Sequence, residues 1–411
     1  MKVRKAKTEQ DLPAIGRIWQ EVGWIGDSKD EQEALQYFLD GSSALVAEVN
    51  GEVEGFVNST PGQLSYQGED MPMQGVTAVT MSRLIRKKGL AGRLTAKSIA
   101  SAADDGMLVS YLGMFEQGFY NRLGYGTGGY EHRVSFDPAQ LMVNIKPRIP
   151  RRISKEDWQE AHQCRVGRKK KHGFCTLLPP GITRAEMAWT KRSFGLGYYD
   201  GPGGELSHFI WGSAEDSSHG PYNLYCMVYN NGEQFLELMA LLKSLGEQVF
   251  TVRMHEPAGI QLQDLLKKPF RERKVREKTR FQSHNRASAY WQLRILDLAG
   301  CLARTSLDRG EIEFNLELTD PIEAYLEPDS RWKGLSGCYQ IRLGETCAAR
   351  SGYQPALPLL QASVGAFSRM WLGVAPASSL AITDSLQGPV ELLQQLDSLF
   401  CLPHPMVDWD F

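Results

Sequence analysis

The sequence predicts a multidomain protein that combines α/β and α+β units. With 411 residues, the chain is long enough for two to four domains. Segments with the two-residue alternation of strands and segments with helical apolar spacing follow one another along its length. One stretch, residues 75–94, reads as a strand, a basic turn and a helix in direct succession. These observations favour layered sheets and helices over an all-α or an all-β architecture.

Composition and charge exclude several classes of protein. A hydrophobic content of 42% and a charged content of 23% are typical of a soluble globular chain, and a net charge of −2 gives no electrostatic case for a nucleic-acid partner. The seven cysteines are scattered without a C-x-x-C pair, which favours reduced thiols and a cytoplasmic location. The sequence has no signal peptide and no apolar run of bilayer length, so no membrane association is expected. No histidine cluster resembles a ligand set, so no metal is expected.

The first unit can be followed element by element. The predicted order is a strand at 2–6, a helix from residue 8, a second helix at 30–40, strands at 43–50 and 52–59, the strand and helix of residues 75–103, a strand at 107–114, a short helix and a last strand toward Phe136. The dipeptide Asn50-Gly51 predicts a tight hairpin, because a type I′ turn needs positive φ at both central positions.

The stretch from residue 75 to residue 94 carries the clearest chemical signal. Its strand part holds Val79 and Met81, helical spacing begins at Leu90, and residues 86–91 between them read R-K-K-G-L-A. The first turn of a helix has unpaired N–H groups and partial positive charge, so it is a natural seat for phosphate. Glycine permits close approach of the main chain, and the cations add charge. The stretch therefore predicts an anion site, with an ordinary solvated basic turn as the alternative.

This stretch resembles motif A of the GNAT superfamily of N-acetyltransferases, whose turn follows Arg/Gln-x-x-Gly-x-Gly/Ala. Arg86, Gly89 and Ala91 occupy the defined positions. In that family the turn holds the pyrophosphate of acetyl-coenzyme A (acetyl-CoA), and the preceding strand pairs with the pantetheine arm. Residues 119–125 read F-Y-N-R-L-G-Y, similar to the family's aromatic-Tyr-x-x-x-Gly-Phe/Tyr signature. The two motifs in this order imply a GNAT fold along residues 1–138.

The rest of the chain predicts two further α+β units. Prolines mark a boundary at residues 146–150, and another unit begins near Ser288. The whole layout resembles the Eis (enhanced intracellular survival) acetyltransferase family, in which a GNAT domain precedes a degenerate GNAT-like domain and a sterol-carrier-protein-2-like domain. The resemblance implies a catalytic domain at residues 1–145, a second domain without cofactor at 146–287 and a third at 288–411.

The resemblance also implies roles for individual residues. The acetyl-CoA contacts would come from Val79, Met81, Arg86, Lys87, Gly89 and Ala91, with Lys88 as a second cation near the phosphates. Tyr120 would be the general acid that returns a proton to the CoA sulfur. Tyr125 competes for this role, but its place in the L-G-Y turn is typical of a packing residue. The α-carboxylate of Phe411 would be the general base, acting through a water, because an α-carboxyl is ionised at neutral pH.

The acceptor is expected to be a small-molecule amine. Trp24 and Asp27 lie in the loop that closes the acceptor site of GNAT folds, and Asp410 precedes the C-terminal residue. Acidic and aromatic groups together suit a polycationic amine, such as an aminoglycoside or a polyamine. Two alternatives stay open: a non-enzymatic lipid or ligand carrier built on the third domain, and an acetyltransferase that acts on protein lysine.

Two basic clusters, residues 165–172 and 267–280, are expected to be solvated loops rather than nucleic-acid patches, because aromatic stacking residues are not interleaved with them. The resemblance further implies a homo-oligomer, either a trimer or a trimer-based hexamer.

Overall fold

The computed structural model describes residues 2–269 and 278–408. The first part of the chain has the predicted order of strands and helices. Its strands are β1 (Lys2–Lys5), β2 (Ser43–Val49), β3 (Glu52–Tyr66), β4 (Glu69–Met81), β5 (Val109–Gly113) and β6 (Gly126–Thr127), and its helices are α1 (Thr8–Glu21), α2 (Lys29–Leu39), α3 (Leu90–Asp104) and α4 (Gln117–Asn121). The prediction of a mixed α/β architecture is confirmed for this part.

The middle part of the chain also alternates strands and helices. Its elements are β7 (Glu131–Phe136), β8 (Arg151–Arg152), α5 (Trp158–Val166), β9 (Cys175–Leu177), α6 (Pro180–Trp189), β10 (Ser193–Tyr198), β11 (His208–Ala214), β12 (Tyr222–Val228), α7 (Gly232–Ser244), β13 (Val252–His255) and β14 (His284–Ser288).

The last part is again mixed. Its elements are β15 (Trp291–Ile295), α8 (Leu298–Leu302), β16 (Ile312–Thr319), β17 (Gly337–Leu343), β18 (Ala348–Ser351), β19 (Leu359–Ser363), α9 (Val364–Trp371), α10 (Ala377–Thr383), β20 (Leu386–Gln387) and α11 (Val390–Leu399). None of the helices in the described ranges is long and apolar enough to cross a bilayer.

The strands form three sheets, and sheet membership does not follow chain order. The first sheet has the order β1-β2-β3-β4-β5-β15-β6, with β9 also paired to β3. The second has the order β14-β7-β13-β12-β11-β10-β8, and the third β18-β17-β16-β19-β20. Thus β15 enters the first sheet from the far side of the middle part, with Trp291 opposite Gly113. In return β7 leaves for the second sheet, with Phe136 opposite Val252.

This exchange corrects the expectation that the strand toward Phe136 completes the first sheet. Both β7 and β15 contain alternating apolar residues, and local alternation specifies a strand without specifying its neighbour. Val134 and Phe136 are buried in the second core, whereas Trp291 and Leu293 are buried in the first. The sheet that each strand joins therefore depends on the core that its apolar side chains cover.

The first and last parts of the chain share one hydrophobic core. Side chains from α1, β3 and β4 belong to the same buried cluster as side chains from β16, α9 and α11. The ring of Tyr66 stacks on that of Trp371, with 4.3 Å between the centroids. The Tyr66 hydroxyl donates to the Trp371 carbonyl oxygen at 3.3 Å. The third sheet is thus packed against the first rather than carried on a free linker.

Two hairpins shape the central strands of the first sheet. The predicted turn at Asn50-Gly51 is confirmed, with φ of 54° and 88°. A second turn of the same kind, Gln67-Gly68 with φ of 49° and 89°, joins β3 to β4. It was not predicted, and the sequence placed the two strands only at 52–59 and from residue 75. Both strands are therefore longer than expected.

The C-terminal tail runs beside β9 at the edge of the first sheet. The Val407 carbonyl oxygen accepts from the Cys175 N–H at 2.9 Å, and Val407 is fully buried. Asp408 accepts from Arg168 Nε at 2.8 Å. Asp410 and Phe411, to which the sequence assigns an acceptor contact and the catalytic base, lie outside the described residues.

Candidate active site

The parallel strands β4 and β5 part midway along the first sheet. They pair from Met73 opposite Val109 to Val76 opposite Leu112. A bulge in the β3–β4 pairing follows at this level, and β4 then continues to Met81 paired with β3 alone. Along residues 77–81 the other edge of β4 has no neighbouring strand among the described elements, so its main-chain groups are available to an extended ligand. We call this gap the first cleft, and Val79 and Met81 lie on it.

The first cleft ends in the basic turn. Met81 closes β4, and α3 begins at Leu90 after Gly89, which has a left-handed φ of 74°. The Arg93 N–H bonds the Gly89 carbonyl oxygen at 3.4 Å, so the N–H groups of residues 90–92 precede the intrahelical pattern. The side chains of Arg86, Lys87 and Lys88 are exposed. Cations and helix N–H groups thus meet where the open edge of β4 ends, and Ala91 lies in the first turn of α3.

Tyr120 lies on α4, the short helix that follows β5. Its side chain is 6% exposed and belongs to a buried cluster with Val76, Leu94 and Leu112, against which Val79 and Met81 pack. Burial raises the pKa of the Tyr120 phenol to about 12. The phenol therefore carries its proton throughout the neutral range, as a proton donor must. The fold brings together the predicted acid and the two predicted strand residues.

A buried ion pair supports the turn that carries Tyr120. Arg294 of β15 pairs with Asp320, with 2.5 Å between Nη2 and Oδ2, and both side chains are fully buried. Arg294 also donates to the carbonyl oxygen of Leu123. Gly124, at φ +79°, lies so close that an added Cβ would come within 2.6 Å of Arg294 Nη1. We call Arg294, Asp320 and the Leu123 carbonyl the turn support.

Sequence reasoning missed the turn support. Its one local signal is a charged residue in the middle of an apolar alternating strand, since Arg294 stands between Leu293 and Ile295. A second contact comes from the same strand, where Gln292 Nε2 donates to Asn121 Oδ1 at 2.9 Å. The strand that joins the first sheet from the last part of the chain therefore also holds the turn behind Tyr120.

Tyr125, the competing candidate for the acid, has a structural hydrogen bond. The Tyr125 hydroxyl lies 2.6 Å from Ser110 Oγ. The Ser110 hydroxyl in turn donates to Gln74 Oε1 at 2.8 Å. The Tyr125 side chain is 2% exposed, and burial raises the pKa of its phenol well above the usual value. A hydroxyl engaged inside the sheet suits the packing role that the sequence favours for Tyr125.

The predicted acceptor residues lie on the loop between α1 and α2. Trp24 is 47% exposed, and its ring meets that of Trp19 edge-on with centroids 5.1 Å apart. Asp27 is exposed in the same loop. Trp189, at the end of α6, lies 5.9 Å from Trp19 between ring centroids and was not predicted. An aromatic group thus joins the α1–α2 loop to the middle part of the chain.

The basic cluster at residues 165–172 differs from its prediction. Arg165 and Arg168 are each 5% exposed, whereas solvated side chains were expected. Arg165 pairs with Glu186 at 3.4 Å and Arg168 with Asp408 at 2.8 Å. Helix α5 ends here and turns inward, so its basic residues hold other segments together. The second basic cluster lies partly outside the described residues.

One group of possible metal ligands lies in the middle part of the chain. Ligand atoms of Asp200, His208 and Glu237 lie within 4.8 Å of one another. Arg148 donates to both carboxylates, at 2.7 Å to Asp200 Oδ2 and 2.7 Å to Glu237 Oε2. These hydrogen bonds lower the pKa of Glu237 to about 2. The single positive charge of Arg148 thus offsets one of the two negative charges.

Comparisons with known proteins agree with this geometry. Residues 2–128 match the family model described as the acetyltransferase (GNAT) domain. An uncharacterized N-acetyltransferase of Streptomyces avermitilis is 22% identical over 191 residues. That match spans 46% of this chain and 46% of the relative, so about half of each protein is compared.

Solved structures resemble the chain over its full length. A conserved protein of Enterococcus faecalis V583, described as a probable N-acyltransferase, has a TM-score of 0.79 at 19% identity and covers 100% of this chain and 99% of its own. A GCN5-related N-acetyltransferase from Anabaena variabilis has a TM-score of 0.77 at 16% identity, with 100% of both chains covered. Eis1 from Mycobacterium abscessus has a TM-score of 0.76 at 16% identity, again with 100% of both covered. At these identities the likeness shows the fold. Together with the family match, it supports an acyltransferase whose GNAT domain lies at residues 2–128.

Proposed function

We propose that the protein is an acetyl-CoA-dependent N-acetyltransferase that acts on primary amines by direct transfer in a ternary complex. One observation carries the proposal. The open edge of β4 leads directly into a cationic turn and the start of the 15-residue helix α3. Tyr120 belongs to the buried cluster against which Val79 and Met81 of β4 pack. Few ligands other than a phosphorylated, extended thioester require all three features in a row.

Each part of acetyl-CoA has a proposed place. The pantetheine arm pairs with the main chain of Val79 and Met81, and an N–H of this strand also polarises the thioester carbonyl. The pyrophosphate binds the N–H groups that follow Gly89, including that of Ala91, with Arg86 and Lys87 supplying charge.

The reaction then needs two proton transfers. The amine nitrogen attacks the thioester carbonyl carbon, a C–N bond forms, and the C–S bond breaks. The α-carboxylate of Phe411 takes the amine proton through a water, and Tyr120 gives its phenolic proton to the departing sulfur. Burial suits Tyr120 to this task, since its phenol is protonated before each turnover.

Acceptor and architecture are finer parts of the proposal. The exposed Trp24 and Asp27 support an amine acceptor near the α1–α2 loop, with polycations such as aminoglycosides or polyamines as first candidates. The proposal keeps a degenerate GNAT-like second unit, a sterol-carrier-protein-2-like third unit, and a trimer or trimer-based hexamer. All seven cysteines lie in the described ranges and are free thiols, as suits a cytoplasmic protein.

The experiment combines acetyl-CoA binding by calorimetry with thiol release on a panel of polyamines, aminoglycosides and lysine peptides. Tyr120→Phe is expected to lower kcat roughly 10²–10⁴-fold while the acetyl-CoA Kd stays within about twofold. One glycine added after Phe411 is expected to lower kcat in the same way, because the carboxylate moves. Tyr130→Phe is the matched control, since Tyr130 is 64% exposed.

Three results would contradict the proposal. Near-normal turnover in both altered proteins would remove the assigned roles of Tyr120 and Phe411. Turnover of lysine peptides alone would favour a protein-lysine acetyltransferase. No acetyl-CoA binding, with a lipid retained in native mass spectrometry, would favour the carrier.

A further inference from the structure

The second sheet contains another pair of parallel strands that part. β12 and β13 pair only at Tyr222 opposite Val252 and Asn223 opposite Arg253. Beyond these residues both strands line one cavity of about 620 Å³, through residues 224–229 on one side and 254–258 on the other. We call it the second cleft. Its volume lies in the range of small-molecule sites, about 300–1,000 Å³.

The lining of the second cleft combines aromatic and sulfur-containing residues with charged residues, among them Arg165, Arg168 and Glu186. Besides main-chain segments, it presents Phe174, Met187, Phe209, Trp211, Met227 and Met254. Phe209 and Trp211 alternate on β11 and are almost completely buried, so they form a fixed wall. Such surfaces bind the apolar body of a ligand, since aromatic and thioether groups gain by contact with flat or hydrocarbon surfaces.

Several of the charged groups that line the second cleft are paired. Asp408 accepts from Arg168 at 2.8 Å, and Glu186 lies 3.4 Å from Arg165. Glu256 accepts from the Leu262 N–H at 2.8 Å. Lys171 donates to the Ala258 carbonyl oxygen. A polycation or a polyphosphate would have to break these pairs, whereas a ligand with at most one charge would not.

The end of the second cleft also differs chemically from a phosphate seat. The residues that follow β12 are Tyr229-Asn230-Asn231-Gly232, without a cation. The side chain of Asn231 caps α7 by accepting from the Gln234 N–H at 2.9 Å. The side chain of Asn231 thus caps one N–H group of the first turn of α7, and residues 229–232 contain no Lys or Arg.

We propose that the second cleft is a ligand site of its own, which takes a small aromatic or alicyclic molecule with at most one amine and no phosphate. The site does not depend on the proposed acetyl transfer. A molecule bound there is acetylated if its amine reaches the first cleft and is otherwise an effector.

The test uses 2-phenylethylamine and spermidine as probes, with binding to the full-length protein measured by calorimetry without acetyl-CoA, so that no amine is acetylated during the titration. Phenylethylamine binding is expected to depend on the second cleft, whereas any spermidine binding belongs to the proposed acceptor site of the first cleft and is expected to stay within twofold in the cavity-filling variants. Met227→Trp fills the cavity and is expected to weaken phenylethylamine binding at least tenfold while the acetyl-CoA Kd stays within twofold. Ile382→Trp, which adds the same ring at an 86% exposed position, is the control. Ala161→Met, on α5 at the opposite wall, is a second filler in case Met227→Trp does not fold.

Failures of the two proposals are distinguishable. Phenylethylamine that binds neither variant nor wild type, or that binds all folded variants equally, overturns the second-cleft site even if acetyl-CoA binds normally. Tighter spermidine binding that the fillers abolish overturns the ligand class. Loss of acetyl-CoA binding in the wild type contradicts only the proposed transferase. Product analysis by mass spectrometry then shows whether bound phenylethylamine is acetylated, and either result supports the site.

Discussion

The two clefts of this molecule begin alike and end differently. In each, a pair of parallel strands parts and a helix follows the longer strand. The first cleft ends in Arg86, Lys87, Lys88 and Gly89, the second in two asparagines and Gly232. The comparison teaches that two pairs of strands can part in the same way and still lead to helix starts of different charge, because that charge is set by the few residues after the strand.

The largest expected effect distinguishes a buried ion pair behind the first cleft from an exposed ion pair in the middle part of the chain. The Arg294–Asp320 pair behind the first cleft is fully buried, whereas the Arg148–Asp200 pair beside the second sheet is 55% and 38% exposed. Asp320→Ala leaves a buried guanidinium unpaired and is expected to lower the free energy of unfolding by about 3–5 kcal/mol. Asp200→Ala is expected to cost about 1 kcal/mol or less. Urea unfolding measures both losses in the free energy of unfolding. Equal losses would contradict the larger contribution expected of the buried Arg294–Asp320 pair.

The second effect concerns cofactor affinity. Arg86→Ala removes a cation that we propose binds the pyrophosphate, and since hydrogen bonds to charged groups contribute about 1.5–3 kcal/mol, the acetyl-CoA Kd is expected to rise roughly 10- to 100-fold. The loss should shrink at high salt, because exposed charges are screened. Lys169→Ala, beside the second cleft, is the control and should leave the Kd within twofold. If Lys169→Ala raises the acetyl-CoA Kd as much as Arg86→Ala does in calorimetry, the proposed phosphate site at the first cleft is contradicted.

A smaller effect compares the glycines at the two helix starts. Neither Gly89 nor Gly232 has an atom within 4 Å of an added Cβ, but only Gly89 has a positive φ, +74°. Gly89→Ala is therefore expected to lower stability by about 1–2 kcal/mol through backbone strain. Gly232→Ala should be neutral or stabilise by about 0.4–1 kcal/mol, since alanine loses less chain entropy on folding. Thermal unfolding distinguishes them, and a loss at Gly232 would contradict the comparison.

The smallest expected effect concerns the pH dependence of kcat, in which Tyr120 should cause no fall over the neutral and mildly alkaline range. Burial raises the pKa of Tyr120 to about 12, so the folded protein holds this proton more tightly than the unfolded chain, whose tyrosines titrate near 10.0. The corresponding stability is complete below pH 10 and is lost as the pH rises toward 12. A plot of kcat against pH should show no fall from Tyr120 up to about pH 10.5. A fall near pH 8 that disappears in Tyr120→Phe would contradict this.

The first cleft could be predicted because its parts are neighbours in sequence. The strand, the cations and Gly89 lie within twenty residues, and each has a local physical signature. The second turn at Gln67-Gly68 was not predicted, and Pro61 and Pro72 lie within the two strands that it joins. Both are tolerated within long paired strands here.

The turn support and the second cleft could not be predicted, because both depend on distant parts of the chain. Arg294 reaches Leu123 only after β15 has entered the first sheet, and no periodicity in the sequence selects that neighbour. The cavity combines α5, α6, β11 to β13 and the tail, whose separate apolar residues each read as ordinary core. Trp189 likewise could not be linked to this site from the sequence, because its partner Trp19 lies in another unit.

The exchange of β7 and β15 also has a consequence for biosynthesis. While the chain is being made, β5 has an unpaired edge until the residues of β15 leave the ribosome, after the whole middle part. An open strand edge invites pairing with another chain, so a nascent or truncated N-terminal fragment would be prone to self-association. A gene fragment that ends at the first boundary would therefore encode an incomplete first sheet, because β15 would be missing.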